Sequence, residues 1–217
     1  MAENKKTEHE SLDEIESHVP ESMHPILEAA FKYHKQLITV VVAIIAVAAI
    51  YAGVTAYNQR NMVTAQNELG TILIEAKGED KINRLEALLG SAPSSVKPAV
   101  LLELAQTSMN NSLYDKAEGY WNQLSGETDA DLAFVARLGK AKCLTLAGKN
   151  ADAVTELNEL VGIAPETFIV PVYRQLAVAA ELAGDKPLAL ETYRKLAEQS
   201  VADKPFIDFK ITQLEAK

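Results

Sequence analysis

From Leu37 to Tyr57 the chain runs 21 residues without a charged side chain, and beyond that run apolar residues return at helical spacing among polar ones. A helix over the run would be roughly 31 Å long, enough to cross a hydrocarbon core of about 30 Å. Phe31 and Tyr33 on one side, and Tyr51 and Tyr57 on the other, suit the two interfaces, where amphipathic rings prefer to lie. Lys32 and Lys35 come just before the run and only Arg60 follows closely, so the positive-inside rule predicts a cytoplasmic N-terminus. A secretory signal would open on a short basic stretch and carry an apolar core of about 7–15 residues. Here 36 residues, many of them acidic, precede a longer run, which predicts an uncleaved anchor. Ala48 with Ala52, and Ala49 with Gly53, form small-xxx-small pairs that would let a second membrane helix approach closely.

After the apolar run the pattern repeats. Ala105, Ala141 and Ala177 are each followed 12 residues later by another alanine, at Ala117, Ala153 and Ala189. Trp121, Leu157 and Tyr193 share one register, and Leu124, Leu160 and Leu196 share another, with a period of 36 throughout. The expected unit is a pair of helices. The alanines stand where the two backbones must come close, and the large side chains fill the groove beside them. Gly148 and Gly184 stand where the turn inside a pair needs a left-handed residue, and Asn111 or Ser112 fills that turn in the remaining copy. Pro165 marks the end of the second helix of its copy.

One pair cannot bury its apolar face alone, so stacked pairs are expected to share a continuous core. The spacing resembles the tetratricopeptide repeat, whose usual period is about 34 residues. The expected fold is all-α: a single transmembrane helix, then a tetratricopeptide-like α-solenoid with a C-terminal capping helix. Its parts are an acidic tail over 1–30, an anchor with flanks over 31–57, and a repeat domain over 58–217. Within that domain the copies span about 98–131, 134–167 and 170–202. Residues 62–93 form a degenerate copy in which Met62, Ala65, Leu69, Ile72, Leu73 and Ala76 make one stripe ending at Gly78. Leu69 and Lys81 take the alanine positions there, Leu85 and Leu88 fall in the register of Trp121 and Leu124, and Pro93 in that of Pro165. Asp203 and Pro205 announce a capping helix over 205–216, with Ile207, Ile211 and Leu214 as its apolar face.

Charge narrows the functional classes. Among the 217 residues, 30 acids exceed 21 bases, for a net charge of −9, which argues against nucleic acid, whose phosphates call for clustered Lys and Arg. From Asn58 onward there are 17 basic and 22 acidic residues, a net charge of −5 that commits to no partner charge. Residues 1–24 carry seven acids against two lysines and few large apolar residues, the composition of a disordered tail. Ser11–Glu14 has capping-box spacing, and Leu12, Ile15 and Val19 follow at helical spacing, so a short helix on a partner is open to this tail.

The segments Leu101–Gln106 (LLELAQ) and Phe209–Leu214 (FKITQL), with the order of tail, anchor, helix pairs and final helix, resemble the YfgM-like family of bacterial inner-membrane proteins. The resemblance spans roughly residues 30–217. It implies a periplasmic repeat domain and an accessory role at the Sec translocon. It also implies a membrane-anchored prolyl isomerase homologue as partner, and chaperone-like help for newly exported proteins. The longer, acidic, histidine-containing tail departs from that family.

The sequence offers little chemistry. The phosphate-loop, dinucleotide and nucleophile-elbow patterns are missing, and all four histidines (His9, His18, His24, His34) precede the apolar run, at spacings that match no familiar metal-ligand set. Cys143, the single cysteine, falls on a first helix and reads as a small core residue. Trp121 and Tyr193 read as core, and Glu156 and Glu159 as a solvated face. No enzyme, cofactor, metal or small-molecule substrate is expected. Stacked helix pairs present a groove lined by their first helices, suited to an extended peptide or a partner's helix. Taken from first-helix positions outside the packing register, the candidate lining residues are Glu103, Gln106, Arg137, Lys140, Arg174 and Gln175. The alternative is a scaffold for envelope or division machinery with no chaperone role.

Overall fold

A computed structural model describes residues 33–216, apart from the side chains of His34 and Leu37. The tail features expected from sequence, including Ser11–Glu14 and His9, His18 and His24, and the flanking Phe31 and Lys32 lie outside the described residues. Within them are nine helices and no strand: α1 (His34–Glu75), α2 (Gly78–Ser91), α3 (Lys97–Asn110), α4 (Tyr114–Gly126), α5 (Ala130–Leu146), α6 (Asn150–Ile163), α7 (Glu166–Ala183), α8 (Lys186–Ala197) and α9 (Lys204–Glu215). The chain divides into two compact units, with the boundary between Asn58 and Gln59 inside α1.

In the first unit, α1 is the one described helix long and apolar enough to cross a membrane. Ile38, Val42, Ile45, Val47 and Ile50 all stand exposed, so no protein core accounts for its apolar surface. Within its apolar stretch Thr39 and Thr55 hide their hydroxyls by donating to the carbonyl one turn back, Thr39 to Lys35 and Thr55 to Tyr51, each at 2.8 Å. Such local pairing lets a polar side chain sit in an apolar medium without an orphaned donor.

The second unit, from Gln59 onward, packs helices mainly against their sequence neighbours from α2 to α9, with an additional contact between α5 and α7. Three of its turns are built alike. Ser112, Gly148 and Gly184, 36 residues apart, have φ of 59°, 77° and 78°. In each turn the next N–H closes on the carbonyl five residues back: Leu113 on Ser108 at 2.8 Å, Lys149 on Leu144 at 2.9 Å, Asp185 on Ala180 at 2.9 Å. Glycine takes the left-handed region without steric cost, and Ser112 occupies it as an exception. Asn111 instead keeps a negative φ and turns its amide onto the Thr107 carbonyl at 2.7 Å.

The period also governs burial. Ala105, Ala117, Ala141, Ala153, Ala177 and Ala189 are fully buried, and Trp121, Leu157, Tyr193, Leu124, Leu160 and Leu196 are buried beside them. In the segment without the paired alanines, Met62, Ala65, Leu69 and Ile72 of α1 pack with Ile82, Leu85 and Leu88 of α2. Lys81, at an alanine position, instead reaches across to Glu103 at 3.1 Å. Gly78 opens α2 with φ 56°. Helix α9 packs on α8 and buries Ile207 and Leu214.

Two helices start earlier than the copy limits of 134 and 170. Helix α5 begins at Ala130, where the Asp129 carboxylate accepts the Leu132 N–H at 3.0 Å. Helix α7 begins after Pro165 and carries Pro171 inside its second turn. Pro171 has no N–H for the Thr167 carbonyl, so the helix passes through it at the cost of one backbone hydrogen bond.

Between α4 and α5 the packing leaves no room for a side chain at Gly139. A Cβ on Gly139 would stand 2.7 Å from the Trp121 indole, which is buried and directs its N–H to the Met109 sulfur at 3.2 Å. Alanine improves a helix interior by about 1 kcal/mol over glycine, but overpacking here costs about 1–3 kcal/mol. We expect Gly139→Ala to lose about 1 kcal/mol, net. Gly119→Ala, whose Cβ meets nothing within 4 Å, should gain up to about 1 kcal/mol. Thermal unfolding followed through the single tryptophan, Trp121, reads both.

Candidate functional site

Two depressions in the second unit share Lys142 and Gln175. The larger, about 400 Å³, is lined by Leu102, Gln106, Met109 and Asn110 of α3, by Val135, Leu138, Gly139 and Lys142 of α5, by Gln175 of α7, and by Trp121. The smaller, about 350 Å³, is lined by Lys142, Thr145 and Leu146 of α5 and by Arg174, Gln175 and Val178 of α7.

These positions recur with the same period of 36 as the core. Leu102, Leu138 and Arg174 share one register, and Gln106, Lys142 and Val178 another. Gly139 pairs with Gln175, Met109 with Thr145, and Asn110 with Leu146. One face of each of α3, α5 and α7 therefore contributes to the same surface, because identical phase along helices that pack alike brings equivalent residues together. The lining is mostly apolar, with amides at Gln106, Asn110 and Gln175. The Gln175 side-chain oxygen is shielded from solvent and has no hydrogen-bond partner.

The six residues chosen from sequence fall into two groups. Gln106, Arg174 and Gln175 line the depressions, although Arg174 is also held by both carboxylate oxygens of Asp203. Glu103 pairs with Lys81 on α2. Arg137 and Lys140 face α6, where Arg137 bonds Glu156 and Glu159, and Lys140 reaches Glu156 at 3.1 Å. The register equivalents of Glu103 and Gln106 on α5 are Gly139 and Lys142, not Arg137 and Lys140. Lying outside the packing register does not by itself fix a residue's face: a step of one or two residues turns a side chain by about 100° or 200° around the helix. Carrying the register through α5 would have found Lys142.

The charges outside the depressions tie neighbouring helices together. Lys149, which leads into α6, meets Asp115 and Glu118 of α4 at 3.1 and 2.9 Å. Lys210 of α9 meets Glu181 of α7 at 2.8 Å. Glu86 of α2 accepts the Tyr120 hydroxyl and Lys116; the tyrosine bond, more than the lysine, holds its carboxyl below the usual range. Tyr120 moves the other way, raised by burial and then by the carboxylate beside it. Glu156 is the most enclosed of these acids. Burial acts to raise its pKa, but hydrogen bonds from Arg137 and Lys140 outweigh it and hold the carboxyl low. Cys143 is buried on α5 and its thiol donates to the Tyr114 carbonyl at 3.3 Å. Burial raises its pKa, the opposite of an activated thiolate.

The chain matches no family model, no curated protein and no solved structure.

A depressed carboxylate pKa links Glu156 to acid stability. Its contribution is complete above the unfolded value of about 4.3 and is lost as pH falls through the lower folded value. At neutral pH, Glu156→Gln should cost about 1 kcal/mol. That gap should close as the medium is acidified below pH of about 4, in denaturant titrations run across the acid range.

Proposed function

We propose that the chain is a membrane-anchored protein-interaction module: α1 is the anchor, and the helix pairs that follow form a tetratricopeptide-like stack holding extended segments of other proteins. The recurrence of the lining positions of α3, α5 and α7 at the core's own period of 36 carries this reading. A surface composed from one phase of successive first helices is how stacked repeats bind peptides. The three alike turns and the buried alanines support the stack, with residues 62–93 as its degenerate first copy and α9 as its cap. Its role is binding, with no enzymatic step, no cofactor and no nucleic acid.

The location is part of the proposal. Lys32 and Lys35 against Arg60 support a cytoplasmic N-terminus, and with it a periplasmic repeat domain on a bacterial inner membrane. The YfgM-like character of Leu101–Gln106 and Phe209–Leu214 supports a place beside the Sec translocon, with a membrane-anchored prolyl isomerase homologue and exported proteins as partners. Tethering there would raise the local concentration of the groove around emerging chains.

A photoreactive residue at Gln106 or Val178 should crosslink the Sec channel or exported proteins in intact cells, and one at the exposed Asp152 on α6 should not. Equal patterns at all three sites, or none, would overturn the reading. Orientation has its own test. In a Cys143→Ser background, an impermeant maleimide should label Asp152→Cys in cells whose outer membrane has been permeabilised. Labelling only after inner-membrane lysis would reverse the topology.

A further inference from the structure

Both depressions meet at Lys142 and Gln175, and these two residues restrict what can lie across them. Lys142 is exposed and makes no ion pair among the described residues, unlike Lys81, Arg137, Lys140, Lys149, Arg174 and Lys210, each held by a carboxylate. The two linings contain no Asp or Glu, and with Arg174 compensated by Asp203 their one uncompensated ion is Lys142, within a unit whose acids outnumber its bases. The nearest acids on the same helices are already engaged: Glu103 by Lys81 and Glu181 by Lys210. The local charge is therefore positive where the surroundings are negative, and it stands at the junction of two apolar hollows.

Resting on the reading of this face as a peptide groove, we infer that its occupant is an extended segment with an acidic side chain between two large apolar ones. In an extended chain alternate side chains share a face, so apolar residues two before and two after the acid point the same way as it does. They enter the two hollows, against Leu102, Met109 and Leu138 in one and Leu146 and Val178 in the other. The carboxylate meets the Lys142 ammonium, and the unpartnered Gln175 oxygen accepts a backbone N–H of the segment. An acid there is favoured by charge, and a lysine is rejected by repulsion from Lys142, so the groove selects among apolar segments.

The test uses the full-length chain in nanodiscs and fluorescein-labelled, end-capped peptides whose alternate, groove-facing residues are Leu-Glu-Leu, Leu-Gln-Leu, Leu-Lys-Leu or Ser-Glu-Ser, with a serine between each, read by anisotropy. The Leu-Glu-Leu peptide should bind at least fivefold tighter than Leu-Gln-Leu. Added salt should narrow that margin. It should fall below twofold in Lys142→Met, which keeps the apolar stem, and Lys142→Glu should turn the preference toward Leu-Lys-Leu. Circular dichroism confirms that these exposed-site variants stay folded. Equal binding of Leu-Glu-Leu and Leu-Gln-Leu would overturn the charge selection and leave the peptide groove standing. Failure of every apolar peptide to bind would overturn both. Binding of Ser-Glu-Ser as tight as Leu-Glu-Leu would reduce the site to a surface charge and overturn the inference.

Discussion

The second unit depends on how closely helix backbones approach at a handful of small residues. Six alanines at a fixed spacing are fully buried, and none has a side chain beyond Cβ to hold the crossing helix away. At such crossings the interaxial distance is set by the side chains caught between. Small residues there allow the large ones, Trp121, Leu157 and Tyr193, to fill the flanking space. The α4–α5 contact takes this furthest, with Gly139 giving up even its Cβ to the indole. The shared surface over α3, α5 and α7 follows from the same constraint. When each pair crosses the same way, residues one register away from the core are left to form a common face.

Electrostatics then adds connections that packing does not. The acids and bases outside that face link elements as far apart in sequence as Glu86 and Lys116, Lys149 and Glu118, or Glu181 and Lys210. Most are partly exposed, so each contributes modestly. Their larger effect is on the charge left over. Once these pairs are made, the shared face keeps Lys142 as its uncommitted ion and the buried Gln175 oxygen as an unsatisfied acceptor, and its selectivity would rest on those two groups.

Much of this was legible from the spacing of a few residues. The period of 36 located the buried alanines, the large core residues and the left-handed turns. It left Asn111 and Ser112 open as alternatives, because both are turn formers; the backbone resolves this for Ser112, with the Asn111 amide bonding the preceding turn. The starts of α5 and α7 were less legible. Pro171 reads as a barrier to a helix, yet α7 had already begun at Glu166. The lining of the face was half legible: of the six positions outside the packing register, Gln106, Arg174 and Gln175 reach it, whereas Arg137 and Lys140 turn toward α6. Their ion pairs with Glu156 depend on how α5 and α6 are rotated about their axes, and a linear pattern gives no direct view of that.

The order of packing contacts has a kinetic side. Because helices from α2 onward meet chiefly their sequence neighbours, with α5 and α7 also touching, almost every stabilising contact closes a short loop of chain. Short loops cost little entropy to close, so such a topology assembles quickly and without long-range search. Each helix pair can gain its native neighbour as soon as the next pair has been synthesised, and growth proceeds in the direction of synthesis. The same local bonding leaves the end of the stack free to open on its own. Helix α9 has one main partner, α8, so it can detach without breaking the other helix pairings. Fraying and proteolytic nicking would begin there and work backward, leaving the earlier pairs folded while the last ones open.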